Sequence, residues 1–180
     1  RFDWDKLNWL NAQLLHELAA PVLADQLRPL WAERGWGQEG PSADPGWQEE
    51  LCALIGPSLT LLADGVREAE PFFQRPELGD AARSQLEQEG ARACLQALGA
   101  ALSRADAPGA TAELTADNAQ LLLTEAATAA GVKKGVLMKS LRAALLGSLQ
   151  GPDLISSWRL LHALGEDAPR LERAAQSSMP

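Results

Sequence analysis

The stretch GVKKGVLMKSLRAALLGSLQGPDL, residues 131–154, decides the fold class of this chain. Its apolar residues recur at the spacing that places them on one face of an α-helix, and they predict a helix from Val136 to Leu146. Gly131 suits the C′ position of the preceding helix, where the backbone turns left-handed. Pro152 is expected to open the next helix. The stretch therefore predicts short helices separated by glycine and proline.

Composition extends this prediction to the rest of the chain. The 180 residues are 46% hydrophobic, rich in alanine and leucine, and only 5% aromatic, with no tyrosine. These residues favour helices, and a chain of this length buries a core without needing disulfides or metals. We therefore predict an all-α fold. Further helices are expected from starts or caps at Asp3, Pro21, Thr115 and Asp167, and from apolar patterns at residues 47–55, 59–66 and 80–102, the last broken at Gly90.

Turns and a linker divide these helices. Residues 70–79, EPFFQRPELG, are expected to form a structured turn. The clearest linker is SRADAPGATA, residues 103–112, because its small and polar residues surround a proline and a glycine. We therefore expect two small helical subdomains that meet near residue 107.

Two sets of side chains carry expectations about burial. The first helix should present an apolar face, formed by Leu7, Leu10, Leu14 and Leu18. Most of the six tryptophans lie at helical spacing and are expected in the core, with Trp9 and Trp36 more exposed.

The sequence offers little for catalysis or metal binding. Cys52 and Cys94 form no CxxC pair, and with only two histidines to add they predict buried free thiols rather than a zinc site. His16 and His162 have no nucleophile beside them, and no phosphate-binding loop or hydrolase motif occurs. We therefore assign no catalytic and no metal-binding residue.

Targeting signals are equally sparse. No apolar run approaches the roughly 20 residues of a membrane span, and no signal peptide opens the chain. The chain also lacks an initiator methionine, and we therefore expect it to be a piece of a longer protein.

A cluster of positive charge stands out on a chain whose net charge is −8. Lys139 and Arg142 are three residues apart on the predicted helix and share a face. Lys133 and Lys134 precede that helix, close to the N-terminal amides that attract anions. From their charge, the three lysines are expected to contact phosphates of a polyanion. The alternative is an ordinary solvated cationic face.

Three motifs in this sequence resemble those of bacterial-type glutamyl-tRNA synthetases. VKKGVLMKSLRAALLGSLQGPDL is similar to the C-terminal motif of that family, in which leucine-arginine-alanine-alanine-leucine leads to a glycine and then a proline. FDWDKLNWLN resembles the helix that follows the catalytic region, and LLHALGEDAPRLERA resembles the terminal helix. The resemblance covers nearly the whole chain in order, with the middle the weakest part.

The resemblance implies the anticodon-binding half of a class I synthetase, built as a helical cage of two small helix-bundle subdomains. Residues 1–20 would end the stem-contact region, residues 21–107 would form the first anticodon-binding subdomain, and residues 108–180 the second. Arg142 matches the family's arginine in the second subdomain. The turn that lies against the exposed anticodon bases corresponds to Gly151, Pro152 and Leu154.

One position departs from the family pattern. Members that separate tRNA-Glu from tRNA-Gln carry an arginine one residue after the proline that aligns with Pro57, and it recognises the third anticodon base. Here Ser58 follows the proline and Gly56 precedes it, and we assign both to the anticodon site. A serine cannot supply the bidentate guanidinium contact to a base edge. We therefore hypothesise a relaxed enzyme that glutamylates both tRNAs, the second product then needing an amidotransferase.

The same resemblance implies the partners and cofactors. The partner would be tRNA-Glu, with tRNA-Gln as a second one under the relaxed hypothesis, and the ligase would be a monomer without membrane contact, in the cytoplasm or in a plastid. ATP and Mg²⁺ would bind to the catalytic domain, so these residues should hold no cofactor and should be inactive alone. The competing interpretation is a helical protein-interaction or scaffold module, which would bind no tRNA.

Overall fold

The computed structural model describes residues 3–105 and 113–176, and within these ranges the chain is helical, without strands. The predicted all-α class is therefore confirmed. Two short 3-10 helices span Pro41–Ala43 and Gly56–Ser58. The α-helices are α1 Trp4–His16, α2 Ala20–Ala32, α3 Pro45–Ile55, α4 Asp64–Phe73, α5 Asp80–Leu86, α6 Ala91–Ala105, α7 Ala116–Ala130, α8 Lys134–Leu146, α9 Leu154–Ala163 and α10 Asp167–Gln176.

Side-chain caps fix the starts of several helices. The predicted caps Asp3 and Thr115 are confirmed, accepting hydrogen bonds from the Lys6 and Asn118 amides at 3.1 and 3.2 Å. Helix α9 begins later than predicted. Its cap is Asp153, whose carboxylate accepts from the Ser156 amide at 2.9 Å, and Pro152 lies outside the helix.

The helix α10 starts at Asp167, so this residue belongs to the helix and does not precede it as a cap. Helix α8 starts at Lys134, two residues before the predicted Val136. Lys133, and not Lys134, is therefore the last residue before α8. Both differences are of one or two residues, as is usual at helix ends, which fray.

The chain forms two compact units, one ending at Gln74 and the other beginning at Arg75. The linker predicted at residues 103–112 begins later than expected, because α6 continues to Ala105. Its remaining residues, 106–112, and the boundary near residue 107 lie outside the described residues. The division at residue 107 stays a prediction.

The first unit packs its core around α2 and α3. Buried leucines of α2, among them Leu23 and Leu27, pack with Leu51 and Ile55 of α3, and all four are at most 2% exposed. Burial of this apolar surface is the main stabilising contribution. The core continues into an aromatic cluster around Phe73, formed by Trp31, Trp36 and Trp47 with ring centroids 5.1 to 5.5 Å from it.

Two expectations about this unit were wrong. Trp36 is buried, because its ring stacks on Phe73 at an interplanar angle of 17°. Residues 70–73 are helical and do not belong to a turn, since α4 continues through Pro71 to Phe73. The buried side chain of Phe72 favours this extension, and Pro71 removes only one backbone donor near the helix end.

The face of α1 that was expected to be apolar is exposed over most of its length. Leu7, Leu10 and Leu14 are 43 to 65% exposed, and Leu15 is the buried leucine of the helix. The expected exposure of Trp9 is confirmed. Helix α1 therefore contacts the rest of the first unit through one narrow side. Polar contacts also help to hold the helix in this position.

The second unit is assembled from α5 to α10, with the apolar side of α8 in its interior. Leu137, Leu141 and Leu145 of α8 are fully buried, as the spacing in the sequence predicts. The ends of α7 also follow the prediction, because Gly131 has a φ of 67° after the last helical residue.

Both cysteines are free and buried, in agreement with the sequence. Burial raises the pKa of Cys52 to about 12, against the attraction of Arg28 for its thiolate. Among the residues described, no cluster of His, Cys, Asp or Glu could hold a metal ion. No helix within the same ranges is both long and apolar enough to cross a membrane.

Candidate nucleic-acid interface

The turn between α8 and α9, residues 147–153, is held by Arg142. The Nη1 group of Arg142 donates to the carbonyl oxygen of Pro152 at 2.7 Å. Arg142 is partly buried, and its other N–H groups make no hydrogen bond with the part of the chain that the structure describes. The sequence places these residues together by resemblance, and the structure shows that they are in direct contact. One N–H group of the guanidinium is therefore held by Pro152, and the other N–H groups are partly exposed.

Gly151 leaves the backbone of this turn open on one side. Its φ of 145° is a conformation that side-chain-bearing residues rarely adopt. The residue is exposed, and a Cβ added here would lie 3.5 Å from Nη1 of Arg142. The exposed backbone of Gly151 therefore lies next to the guanidinium.

Leu154, the third member of the predicted turn, has a different position. It is the first residue of α9 and is only 5% exposed, so its side chain anchors the turn in the core. Pro152 is half-buried and Asp153 is exposed. Of the three predicted residues, Gly151 and Pro152 are therefore more accessible to a ligand than Leu154.

The other end of the turn is fixed by a glycine. Gly147 ends α8 with a φ of 67°, and its carbonyl oxygen accepts from the Gly79 amide at 2.9 Å. A Cβ on Gly147 would collide with the carbonyl oxygen of Glu77. This oxygen belongs to the backbone and cannot rotate away as the end of a side chain could. Glycine at this position therefore lets the chain segment before α5 close on the end of α8.

A buried arginine of α10, which sequence reasoning missed, supports the same helix end. Arg170 is 1% exposed, and its Nη1 donates to the Leu145 carbonyl at 2.7 Å. Burial lowers the pKa of Arg170 to about 10, although Glu166 beside it acts to raise it. The only signal in the sequence was an arginine one helical turn after Glu166.

Glu166 joins two arginines. Its carboxylate accepts from Nε and Nη2 of Arg75 at 2.8 and 3.1 Å, and from Nε of Arg170 at 3.4 Å. The hydrogen bonds from Arg75 lower the pKa of Glu166, against the effect of its own burial. This network ties α10 to the segment that precedes α5.

The three lysines expected to contact phosphates differ in their surroundings. Lys133 and Lys139 are exposed. Lys134 is partly buried, and its Nζ donates to Gln120 Oε1 at 2.7 Å and to Thr124 Oγ1 at 3.2 Å on α7. Two of the three ammonium groups therefore face solvent, and the third is engaged within the fold.

The remaining candidates, Gly56 and Ser58, belong to the 3-10 turn Gly56–Ser58 that follows α3 in the first unit. We call it the selectivity turn, because it holds the position that is expected to select the third anticodon base. Gly56 is buried, and a Cβ on it would lie 3.1 Å from Leu23 Cδ2. Ser58 is exposed, and its hydroxyl donates to the Ile55 carbonyl at 2.7 Å. Gly56 therefore allows close packing beneath the turn, and Ser58 presents a short side chain to solvent.

Comparison with known families agrees with this arrangement. The sequence model of the anticodon binding domain family matches residues 15–174. The match covers both units, including the selectivity turn and the turn between α8 and α9. This chain belongs to the family of anticodon-binding domains.

Within that family, its relatives are glutamate–tRNA ligases. The chain is 56% identical over 173 residues to the glutamate–tRNA ligase of Synechococcus sp. strain WH7803, and 57% identical over 173 residues to that of Parasynechococcus marenigrum. Each alignment covers 96% of this chain and 35% of the relative, so the chain spans about a third of the length of these ligases.

A solved structure shares the fold. A crystal structure of a glutamate tRNA ligase from Elizabethkingia meningosepticum superimposes with a TM-score of 0.83 at 21% sequence identity. The superposition covers 99% of this chain and 33% of that one.

Proposed function

We propose that this chain is the anticodon-recognition part of a glutamate–tRNA ligase that joins glutamate to tRNA-Glu. Its relatives bear that name, and the chain corresponds to a third of their length. ATP and Mg²⁺ would bind to a catalytic part outside these residues, and the resemblance implies a monomeric enzyme of the cytoplasm or a plastid. The observation that carries the proposal is the family match over residues 15–174.

The turn between α8 and α9 would contact unstacked anticodon bases. Proteins that recognise an RNA sequence mostly bind single-stranded loops, whose splayed bases expose their edges. Arg142 is suited to this contact because the hydrogen bond that it donates to Pro152 fixes the guanidinium. Its remaining N–H groups would then be available to a base edge or a phosphate. The exposed backbone at Gly151 supports the same role. Leu154 would act by anchoring the turn.

Phosphate contacts would come from the exposed lysines. Lys133 and Lys139 have solvent-facing ammonium groups within the same unit as Arg142. Lys134 would contribute less to RNA binding, because its ammonium group already has three oxygen partners on α7. The lysines would position the RNA, and Arg142 would contribute to sequence recognition.

We also propose that the ligase is relaxed towards the third anticodon base. Ser58 is exposed on the selectivity turn, but its side chain is short and its hydroxyl already donates to the Ile55 carbonyl. Such a group cannot form the bidentate contact by which an arginine selects one base. Cognate and non-cognate third bases would therefore be tolerated to a similar degree.

Binding to isolated RNA hairpins tests the function. The chain should bind the anticodon stem-loop of tRNA-Glu more tightly than a hairpin with the same stem and a scrambled loop. The scaffold alternative predicts no binding to either hairpin. Fluorescence anisotropy at two salt concentrations separates the two interpretations, since RNA binding that uses phosphates weakens as salt rises.

A charging assay tests the relaxed specificity. The full-length ligase should attach glutamate to transcripts of both tRNA-Glu and tRNA-Gln. A variant with Ser58→Arg should lose activity on tRNA-Gln selectively, by roughly 10-fold or more, because one good bidentate contact discriminates bases by about 1–3 kcal/mol. No glutamylation of tRNA-Gln by the unmodified enzyme would refute this part of the proposal.

A further inference from the structure

We propose that Asn11 and His16 of α1 are positioning residues that keep the selectivity turn ordered where it would meet the third anticodon base. The inference rests on the proposed function, since it concerns the turn that would meet that base. It adds a role for α1, to which the proposed function assigns none. The contacts that support it all lie within the first unit.

Two side chains of α1 hold consecutive carbonyl groups immediately after the turn. Nε2 of His16 lies 2.9 Å from the Leu59 carbonyl oxygen, and Nδ2 of Asn11 donates to the Thr60 carbonyl oxygen at 2.5 Å. A carbonyl oxygen only accepts, so Nε2 of His16 carries the hydrogen in this contact. The residue directly after Ser58 is thus tied to α1.

The same segment is fixed from its amide side by α4. The carboxylate of Asp64 accepts from the Thr60 and Leu61 amides at 3.2 and 2.8 Å. Leu59 is fully buried, and its amide donates to the Gly56 carbonyl within the turn. With α4 on one side and α1 on the other, the backbone after Ser58 has little freedom to shift.

These hydrogen bonds from α1 differ from ordinary core packing. Helix α1 buries one leucine, Leu15, and leaves the side chain of His16 exposed, so little apolar burial fixes its register at the turn. Each hydrogen bond contributes a modest net stability, since water replaces a lost exposed partner. Their loss should therefore leave the unit folded while releasing residues 59–61. A released turn would have to be ordered again when RNA binds, and RNA affinity would fall.

Matched variants separate positioning from folding. His16→Leu and Asn11→Leu each remove one donor, and the double variant removes both. His16→Gln keeps an amide donor at a similar reach and should restore the contact. Gln13→Ala, on an exposed part of α1 with no side-chain hydrogen bond among the residues described, is the control.

Two measurements are made on each variant of the 180-residue chain. Amide hydrogen exchange at residues 58–61 reports the turn, and anisotropy with the tRNA-Glu anticodon stem-loop reports binding. The double variant should exchange faster at these amides and bind about 5- to 10-fold more weakly, a change in the range expected when about 1 kcal/mol is lost. His16→Gln and Gln13→Ala should behave like the unmodified chain in both measurements.

Each contrary result has a distinct meaning. Unchanged exchange in the double variant would show that α1 does not hold the turn, and would overturn the inference whatever the RNA result. Faster exchange with unchanged RNA affinity would overturn it as well, while leaving the proposed function intact. Failure of the unmodified chain to bind the stem-loop would overturn the proposed function, and the inference would fall with it. If the double variant unfolds, the two single variants provide the same comparison.

Discussion

At the scale of single residues, the three lysines of the basic segment separate by their partners. Lys134 donates to Gln120 and Thr124 of α7, and Lys133 and Lys139 are exposed. Lysines that lie close together in the sequence therefore need not have the same role. Their spacing in the sequence could not show this difference, because the partners of Lys134 lie on another helix.

A salt titration of RNA binding distinguishes these lysines. Each phosphate contact on a single strand contributes about −0.7 to the slope of log K against log salt concentration. Lys133→Ala and Lys139→Ala should each make the slope shallower by about that amount. Lys134→Ala should leave the slope unchanged and should instead lower the stability of the chain. Equal slopes for all four proteins would contradict the assignment of phosphate contacts.

The carboxylate of Asp167 gives the second unit a stability that depends on pH. Asp167 is 3% exposed and accepts from Trp158 Nε1 at 3.0 Å, with His162 Nδ1 at 2.8 Å. Burial acts to raise the pKa of Asp167, but the hydrogen bonds from His162 and Trp158 outweigh it and lower the pKa below its usual 3.8. Stability from this group is therefore present above pH 3.8 and is lost as pH falls through the folded-state pKa.

The variant Asp167→Asn checks this assignment. At neutral pH it should reduce the free energy of unfolding by about 1–3 kcal/mol, because hydrogen bonds to a charged acceptor are replaced by weaker ones. The difference from the unmodified chain should shrink as the pH is lowered below 3.8. Urea denaturation at several pH values measures it, and a difference that is independent of pH would contradict the role of the charged form.

At the scale of elements, the two left-handed glycines that end α7 and α8 differ in their surroundings. Gly131 and Gly147 both have a φ of 67°. A Cβ on Gly131 would meet nothing within 4 Å, whereas one on Gly147 would collide with the Glu77 carbonyl oxygen. The same local conformation therefore carries an additional packing requirement at the end of α8.

Replacing each glycine with alanine separates the cost of the left-handed backbone from the cost of the steric collision. Gly131→Ala should destabilise the chain by about 1 kcal/mol, the cost of a left-handed backbone for a residue with a Cβ. Gly147→Ala should cost about 1–3 kcal/mol more, because backbone must move to admit the methyl group. Urea denaturation measures both values. Equal losses of stability would contradict the close approach of the segment before α5 to the end of α8.

Local patterns predicted most helices, and long-range contacts account for the rest. The end of α7 at Gly131 and the cap at Thr115 follow from residues within one helical turn, and both are confirmed. Burial of Trp36 depends on Phe73, which is distant in sequence and lies in a segment that was expected to form a turn. The sequence likewise gave no sign that Arg170 holds the Leu145 carbonyl, because no spacing rule joins separate helices.

The candidate site, too, was predicted only in part from the sequence. Its lysines were assigned from their charge and its other residues by resemblance, neither of which requires geometry, and their roles in recognition stay predictions. The contact between Arg142 and Pro152, the burial of Gly56 and Leu154, and the tethers from Asn11 and His16 became visible only in the fold. Each depends on elements that the chain brings together over ten or more residues.

At the scale of the whole molecule, an acidic chain is compatible with RNA binding. The net charge is −8, yet Lys133, Lys139 and Arg142 lie on or next to one helix. Interactions between exposed charges are largely screened beyond about 8 Å at physiological salt, so distant carboxylates weaken the attraction of this cluster only slightly. Contacts to a few anticodon bases would need only local positive charge, which these three residues would supply.

Recognition of the anticodon loop through Arg142 is the central claim, and one comparison tests it most directly. The affinities of the unmodified chain and of Arg142→Ala are measured for the tRNA-Glu anticodon stem-loop and for the same hairpin with its three anticodon bases replaced. We predict that the unmodified chain prefers the natural loop and that Arg142→Ala loses about 1–3 kcal/mol of binding to it, with the preference reduced. An unmodified chain that binds both hairpins equally, or an Arg142→Ala variant with unaltered affinity, would contradict the claim.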